Sequence, residues 1–194
     1  MTVPATATPP RAGRPSAPPP SLRRSVVLVG LMGAGKTSIG RRLARLLGAP
    51  FKDADEEIVA AAGMSIADIF ALYGEPRFRE LERRVVARLL DEPPQILALG
   101  GGAFVDPETR ARVKRLALSV WLRADLATLV ARTLRKKGTR PLLATGDPRA
   151  ILAELMAQRY PVYAEADHAI DTAAEPHEVV VERITALLPP VGES

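Results

Sequence analysis

Hydrophobic and polar positions along this 194-residue chain form alternating blocks that predict strands and helices in turn. Short apolar runs predict five strands, at Ser25–Val29, Pro50–Asp53, Gln95–Leu99, Leu116–Leu122 and His168–Asp171. Between these runs apolar residues recur every three to four positions, as in helices that bury one face. Five strands alternating with helices predict a five-stranded parallel sheet in an α/β sandwich, with helices on both faces.

Capping residues and glycines predict where several helices begin and end. After the first strand, apolar residues at helical spacing lead to Gly48 as a stop; they are Ile39, Leu43, Leu46 and Leu47. A second helix is predicted over 76–91. Three later helices are predicted from Asp125 to Arg135, from Asp147-Pro148 to Arg159, and from Pro176 to Leu188.

Composition narrows the class of protein. With 47% hydrophobic and 25% charged residues, the chain is globular and long enough to bury one core. It has no cysteine, which excludes disulfides and fits the cytoplasm. Its two histidines, His168 and His177, do not suggest a zinc site. No apolar run approaches the roughly 20 residues of a membrane span, so we expect no membrane contact.

The N-terminal segment differs from the rest. Residues 1–22 hold seven of the 18 prolines, which predicts a disordered tail before a folded domain over 23–188 and a short tail over 189–194. Residues 1–24 contribute +4 of the net charge of +5, because they contain no acid and four arginines, Arg11, Arg14, Arg23 and Arg24. The remainder is nearly neutral, which argues against nucleic-acid binding.

The segment after the first strand carries the strongest chemical signal. Gly30-Leu31-Met32-Gly33-Ala34-Gly35-Lys36-Thr37 fits the P-loop pattern G-x-x-x-x-G-K-[ST]. Backbone N–H groups of such a loop and the helix N-terminus bind a polyphosphate. Lys36 would reach the β- and γ-phosphates, and the Thr37 hydroxyl would ligate Mg²⁺. The sequence therefore predicts ATP binding by Gly33, Ala34, Gly35, Lys36, Thr37 and Ser38.

Two acids end the second strand. One of Asp53 and Asp55 can hold Mg²⁺, and the other can orient a substrate hydroxyl for attack. The alternative is that they cap the following helix, predicted over Glu56–Ala61, which Asp55 would partly do. Because a P-loop precedes them in the chain, we favour the metal and substrate roles for Asp53 and Asp55.

Gly100, Gly101 and Gly102 directly follow the third strand. Consecutive glycines cost chain entropy, and close approach of backbone N–H groups to a ligand explains them. The alternative is a flexible loop. Their place at a strand's carboxyl end favours ligand contact.

Several arginines lie in distinctive surroundings. Arg79 lies in the predicted helix over 76–91, and Arg159 ends another helix. The segment Arg132–Asp147 is rich in Arg, Lys and Gly, which predicts a mobile lid over about 133–147. A lid guanidinium would neutralise charge on a transferred phosphoryl group. Spacing alone leaves the choice open among Arg140, Arg135, Lys136 and Lys137.

Together these segments resemble the shikimate kinase family. The resemblance runs in family order across about residues 25–172, through GLMGAGKT at 30–37, FKDAD at 51–55, SIADIF at 65–70, GEPRFR at 74–79, LGGGA at 99–103, RPLL at 140–143 and RYPVY at 159–163. It implies a three-layer P-loop fold like that of the nucleoside-monophosphate kinases. It also implies transfer of the ATP γ-phosphoryl group to the 3-hydroxyl of shikimate, in aromatic amino-acid synthesis.

The same resemblance implies a role for each matching residue. Lys36, Asp55 and Arg140 would be catalytic, with Arg140 as the lid arginine. Thr37 and Asp53 would lie at Mg²⁺. Arg132 would lie beside the adenine, and Arg140 would also contact ATP. The shikimate site would comprise Asp55 at the hydroxyls, Arg79 and Arg159 at the carboxylate, and the backbone of Gly100, Gly101 and Gly102. We expect a monomer.

One loop departs from the family pattern. Many members have an Arg or Asn after the last strand that touches adenine, whereas Asp171–Pro176 here contains neither. Adenine contact by this loop would be through backbone groups.

Two alternative functions are another small-metabolite kinase, such as a gluconate kinase, and a non-enzymatic nucleotide-binding switch. The arginine pair and the glycine triplet favour a carboxylated ring substrate over both.

Overall fold

The computed structural model of this chain describes residues 22–135, 146–172 and 175–189. Nearly all of the predicted N-terminal tail, most of the predicted lid and residues 190–194 lie outside the described residues. Arg140 is among those outside.

The described chain alternates between strands and helices, as the hydrophobic pattern predicts. The strands are β1 Ser25–Val29, β2 Phe51–Asp53, β3 Ile96–Ala98, β4 Ala117–Arg123 and β5 His168–Asp171. The helices are α1 Lys36–Leu47, α2 Ala54–Ala62, α3 Ile66–Asp91, α4 Pro107–Leu116, α5 Leu126–Arg135, α6 Pro148–Tyr163 and α7 His177–Ala186, and a 3₁₀ turn covers Ala103–Val105.

The five strands form one sheet with the order β2-β3-β1-β4-β5, and every neighbouring pair is parallel. All five residues of β1 are buried. Because successive side chains of a strand point to opposite faces, burial along all of β1 means that both faces of the sheet are covered. The predicted α/β sandwich is therefore confirmed, with β1 and its following loop at the centre.

The predicted stop at Gly48 and the predicted cap at Asp125 are confirmed, and some other predicted helix ends are wrong. Gly48 ends α1 at φ 61°, and Asp125 accepts from Thr128 N at 2.8 Å. Leu46, however, is 56% exposed and does not belong to the buried face. α6 continues past Arg159 to Tyr163, because Tyr160 and Tyr163 pack on Trp121 and anchor the turn that contains Pro161. The last helix ends at Ala186, not at Leu188.

The helix predicted over 76–91 is the second part of a longer element. α3 begins at Ile66, where Ser65 accepts from Asp68 N at 3.1 Å, and it is broken at Gly74. Gly74 has φ 75° and ψ 172°, a conformation that favours glycine. Pro76 then lies in the first turn of the second part, where a missing N–H costs nothing.

Within the described ranges, no single helix is long and apolar enough to cross a membrane. The consecutive helices Ala54–Ala62 and Ile66–Asp91 reach that length and composition only together, and they are bent by 88° at the break between them.

Candidate active site

The loop between β1 and α1 has the backbone geometry of an anion-binding turn. Gly33 and Gly35 have φ values of 85° and 100°, which glycine adopts readily. Gly35 is the N-cap residue of α1 and has no side chain with which to cap it. No capping side chain of residue 35 therefore competes with a phosphate at this end of α1, and the helix dipole favours negative charge there.

Lys36 and Thr37 lie at the start of this helix and face different groups. The Lys36 Nζ atom donates hydrogen bonds to the carbonyl oxygens of Gly30 and Leu31, at 2.7 and 3.1 Å. These bonds hold the ammonium group over the loop. The Thr37 hydroxyl donates to Asp53 Oδ2 at 2.7 Å, so the P-loop is tied directly to the end of β2.

Asp53 uses its second carboxylate oxygen to cap α2. Its Oδ1 atom accepts from the Asp55 backbone N–H at 3.1 Å. The prediction that Asp55 partly caps this helix is therefore wrong, since α2 begins at Ala54, two residues before the predicted start at Glu56, and Asp53 is its N-cap. Asp55 lies in the first turn of α2, and a Cβ atom built on Gly100 would lie 2.7 Å from its Oδ1 atom.

The Thr37 hydroxyl and the Asp53 carboxylate are oxygen donors of the kind that Mg²⁺ prefers. Among the described residues, no group of three or more His, Asp or Glu side chains could hold a metal ion. Mg²⁺ usually takes one or two carboxylates and completes its shell with phosphates and water. The donor set therefore fits Mg²⁺ bound together with a nucleotide.

The glycine triplet after β3 is required by crowding, and not by unusual backbone angles. None of Gly100, Gly101 and Gly102 has a positive φ. A Cβ atom on Gly100 would lie 2.9 Å from Glu82 Oε1, and one on Gly101 would lie 3.2 Å from Arg159 Nη1. A Cβ atom on Gly102 would overlap the Arg79 guanidinium. Charged side chains thus approach each glycine where another residue would have its Cβ.

Glu82 is the main site residue that the sequence analysis missed. It is only 3% exposed, and it accepts a hydrogen bond from Arg79 Nη1 at 2.7 Å. Burial raises the pKa of Glu82; Arg79 opposes the rise and the Asp55 carboxylate adds to it. Burial alone would lower the pKa of Arg79, but the Glu82 and Glu75 carboxylates raise it overall. The spacing of three residues between Arg79 and Glu82 on a helix was the available signal.

A third group of side chains follows β4 and β5. Arg132 donates to the carbonyl and hydroxyl oxygens of Thr172, at 2.5 and 3.3 Å. The Thr172 hydroxyl lies 3.2 Å from the Ala34 carbonyl oxygen, so this group is tied to the P-loop. His177 begins α7, and its Nε2 atom would lie 3.6 Å from a Cβ atom built on Gly35. Sequence analysis gave His177 no role, because only the fold brings it to the P-loop.

His177 carries an uncharged imidazole near neutral pH. Burial lowers its pKa below the ordinary value, and the nearby Arg42 and Arg132 guanidinium groups lower it further. Arg132 and His177 both line the same cavity.

One cavity of about 490 Å³ brings the predicted residues together. Those that line it are Gly33, Gly35, Lys36, Thr37, Ser38, Asp53, Asp55, Arg79, Gly100, Gly101, Gly102, Arg132 and Arg159. Glu82, Arg135 and His177 line it too. Ala34 is buried behind the loop, and Arg140 lies outside the described residues.

Comparison with known proteins agrees with this arrangement. The sequence model for the family described as shikimate kinase matches residues 32–189. The chain belongs to the shikimate kinase family. A curated shikimate kinase from Caulobacter vibrioides (strain NA1000 / CB15N) is 57% identical over 169 residues, which cover 87% of this chain and 84% of that protein.

Solved structures separate the shikimate kinase family from the gluconate kinase alternative. The shikimate kinase from Acinetobacter baumannii in complex with shikimate matches with a TM-score of 0.82 and 37% identity, over 87% of this chain and 93% of that one. A gluconokinase from Sinorhizobium meliloti 1021 matches with a TM-score of 0.58 and 19% identity, over 86% of this chain and 91% of that one. The second match shows a shared fold alone. The resemblance seen in the sequence motifs is therefore confirmed.

The Arg79–Glu82 pair should contribute to stability. We expect Arg79→Ala to lower the free energy of unfolding by about 2–4 kcal/mol, because the variant leaves a buried carboxylate without its partner. Adding Glu82→Gln should recover part of that loss, since the double variant removes the uncompensated charge. Urea unfolding of the three proteins measures both effects.

Arg77→Ala is the matched control. Arg77 and Glu80 have the same spacing on the same helix, but the Arg77 side chain is 60% exposed. This variant should unfold like the wild type, because exposed ion pairs contribute little. Equal losses for Arg77→Ala and Arg79→Ala would contradict the assigned importance of Glu82 burial.

Proposed function

We propose that this chain transfers the γ-phosphoryl group of ATP to the 3-hydroxyl of shikimate, giving shikimate 3-phosphate and ADP. The observation that carries the proposal is that one cavity joins a P-loop to two arginines, Asp55 and a glycine triplet. A P-loop alone accounts for the phosphate donor. The two arginines account for a carboxylated acceptor, because a guanidinium pairs well with a carboxylate.

The donor half of the site is built on β1 and α1. The loop N–H groups and Lys36 would bind the β- and γ-phosphates, where Lys36 already projects over the loop carbonyls. Thr37 and Asp53 would hold Mg²⁺, which when bound neutralises charge on the phosphates. Arg140 would bring a further positive charge from the lid, as the resemblance implies.

The acceptor half is built on the ends of β2 and β3 with residues of α3 and α6. Arg79 and Arg159 would bind the shikimate carboxylate, and the backbone of Gly100–Gly102 would lie against the ring. Asp55 would accept a hydrogen bond from the reacting hydroxyl. As that oxygen bonds to the γ-phosphorus and the bond to the β-phosphate oxygen breaks, Asp55 would receive the proton.

The sheet order supports a nucleoside position on the opposite side of the P-loop. β1 lies between β3 and β4, so acceptor residues after β2 and β3 are on one side of the loop. Arg132, Thr172 and His177 follow β4 and β5 on the other side. If the γ-phosphate faces the acceptor, the base and the ribose would lie among Arg132, Thr172 and His177. Arg132 and His177 would form two walls around the nucleoside.

We also infer that the protein acts as a monomer in the cytoplasm. One cavity within a single chain gathers the described residues of both the donor and the acceptor half, which supports catalysis by a monomer. The absence of cysteine fits a reducing compartment such as the cytoplasm.

Turnover with defined acceptors tests the proposal. ADP release coupled to NADH oxidation should occur with shikimate and be absent with gluconate, because only shikimate offers a carboxylated ring to the two arginines. Lys36→Ala should remove the activity, which excludes a contaminating kinase. Activity on gluconate alone would overturn the assignment, and ATP binding without turnover would favour a regulatory role.

Asp55→Asn tests the acceptor chemistry. The variant keeps the shape of the side chain but loses the proton acceptor, so we expect kcat to fall by about 10²- to 10⁴-fold with the KM for ATP nearly unchanged. Glu56→Gln is the control, since Glu56 is its exposed neighbour on α2 and pairs with Arg41. Near-normal turnover by Asp55→Asn would show that its role is misassigned.

His177→Gln tests the placement of the nucleoside. Because the imidazole lies beside Gly35, its loss should raise the Kd for ADP several-fold, measured by calorimetry, and leave the KM for shikimate unchanged. His168→Gln removes the other histidine of the chain, which lies on β5 and does not line the cavity, and should change neither value. An unchanged ADP affinity in His177→Gln would refute this placement.

A further inference from the structure

Two tyrosines on α6 make the same kind of hydrogen bond to different carbonyl groups. Tyr160 donates from its hydroxyl to the Ala124 carbonyl oxygen, and Tyr163 donates to the Gly101 carbonyl oxygen. Both rings pack on Trp121, with ring centroids 4.8 and 6.1 Å away. Tyr163 alone reaches the glycine triplet.

The Tyr163 hydroxyl is a permanent donor. The residue is 1% exposed, and its burial raises the pKa of the phenol to about 12. A buried hydroxyl needs hydrogen-bond partners; the Gly101 carbonyl oxygen accepts from it, and the Arg159 side chain is a second partner. The hydroxyl therefore keeps its proton near neutral pH.

The carbonyl groups of the triplet are held in different ways. The Gly100 carbonyl accepts from Ala103 N at 3.1 Å, and the Gly102 carbonyl accepts from Val105 N at 3.0 Å. Both bonds belong to the local turn. In the described part of the chain, the Gly101 carbonyl takes its hydrogen bond from a side chain, that of Tyr163. The middle peptide of the loop thus depends on a residue from another element.

The hydrogen bond to the Gly101 carbonyl oxygen also fixes the direction of the neighbouring N–H group. The Gly101 carbonyl and the Gly102 N–H belong to one planar trans peptide, so the two groups point in opposite directions. Arg159 lies four residues before Tyr163 on the same helix, and its Nη1 atom would lie 3.2 Å from a Cβ atom built on Gly101. One turn of α6 therefore sets both the loop and the arginine beside it.

We propose that Tyr163 is a positioning residue for the phosphoryl acceptor: its hydroxyl fixes the Gly101 peptide and thereby the spacing between the glycine loop and Arg159. The proposal rests on the proposed function, in which this loop and Arg159 bind shikimate. Tyr163 acts through the Gly101 peptide and through its own hydrogen bond with Arg159, and it does not itself line the cavity. Its loss should therefore affect acceptor binding more than the chemical step or nucleotide binding.

Tyr163→Phe and Tyr160→Phe form a matched pair that tests this role. Each variant removes one hydroxyl and leaves one backbone carbonyl without its donor, so both should melt at similarly lowered temperatures. Only Tyr163→Phe should raise the KM for shikimate, by about tenfold, with the Kd for ADP and the KM for ATP within about twofold of wild type. Incorporation of 4-aminophenylalanine at position 163 retains a donor and should restore the KM.

Three results would overturn the proposal. The first is an unchanged KM for shikimate in Tyr163→Phe. The second is an equal rise of the KM for shikimate in Tyr160→Phe. The third is a rise of the KM for ATP together with the KM for shikimate in Tyr163→Phe. Calorimetric binding of ADP shows that a variant is folded. If Tyr163→Phe does not fold, the KM for shikimate of the 4-aminophenylalanine variant is compared with that of the wild type. Lack of shikimate turnover by the wild type would overturn both the proposed function and this inference. If the wild type turns over shikimate, any of the three results above overturns the inference alone.

Discussion

The acceptor half of the site depends on one buried carboxylate. Glu82 has almost no access to water, and an unpaired charge in that position would be costly. Arg79 compensates it, and this pairing directs the guanidinium onto the glycine loop. The loop can accept Arg79, Glu82 and Asp55 only because its residues lack Cβ atoms. The position of the Arg79 guanidinium and the glycine content of the loop are thus consequences of the same electrostatic constraint.

The order of the strands organises the remaining geometry. With β1 central, the P-loop occupies the middle of the sheet edge where ligands of α/β proteins collect. β2 and β3 carry groups suited to an acceptor, and the segments after β4 and β5 carry groups suited to a nucleoside. Neighbouring strands are only about 4.8 Å apart. Phosphoryl transfer between adjacent strand ends therefore requires no large displacement of the sheet.

Local sequence predicted the fold well because its signals are local. The β-branched run of β1, the Gly48 stop and the Asp125 cap are each determined by neighbouring residues. The P-loop and the acidic pair were also recognisable, since the chemistry requires those residues at fixed spacing. Gly102 was singled out by its place after a strand, whereas its crowding by Arg79 comes from a distant helix and could not be predicted from the sequence.

The missed residues are those whose importance arises from tertiary packing. Glu80 and Glu82 each follow an arginine by three residues on α3, and only the folded chain shows that Glu82 is the buried one. Tyr163 reaches Gly101 because α6 continues beyond Pro161, which local rules for proline do not favour. His177 meets Gly35 only after the sheet has assembled.

The aromatic cluster beneath the glycine loop has an optical consequence. Trp121 is the only tryptophan of the chain, it is almost fully buried, and it packs against the ring of Tyr163. Indole emission responds to the polarity and packing of its surroundings. The protein therefore carries a single intrinsic fluorophore one side chain away from the loop, so that events at the loop have a spectroscopic reporter without any added label.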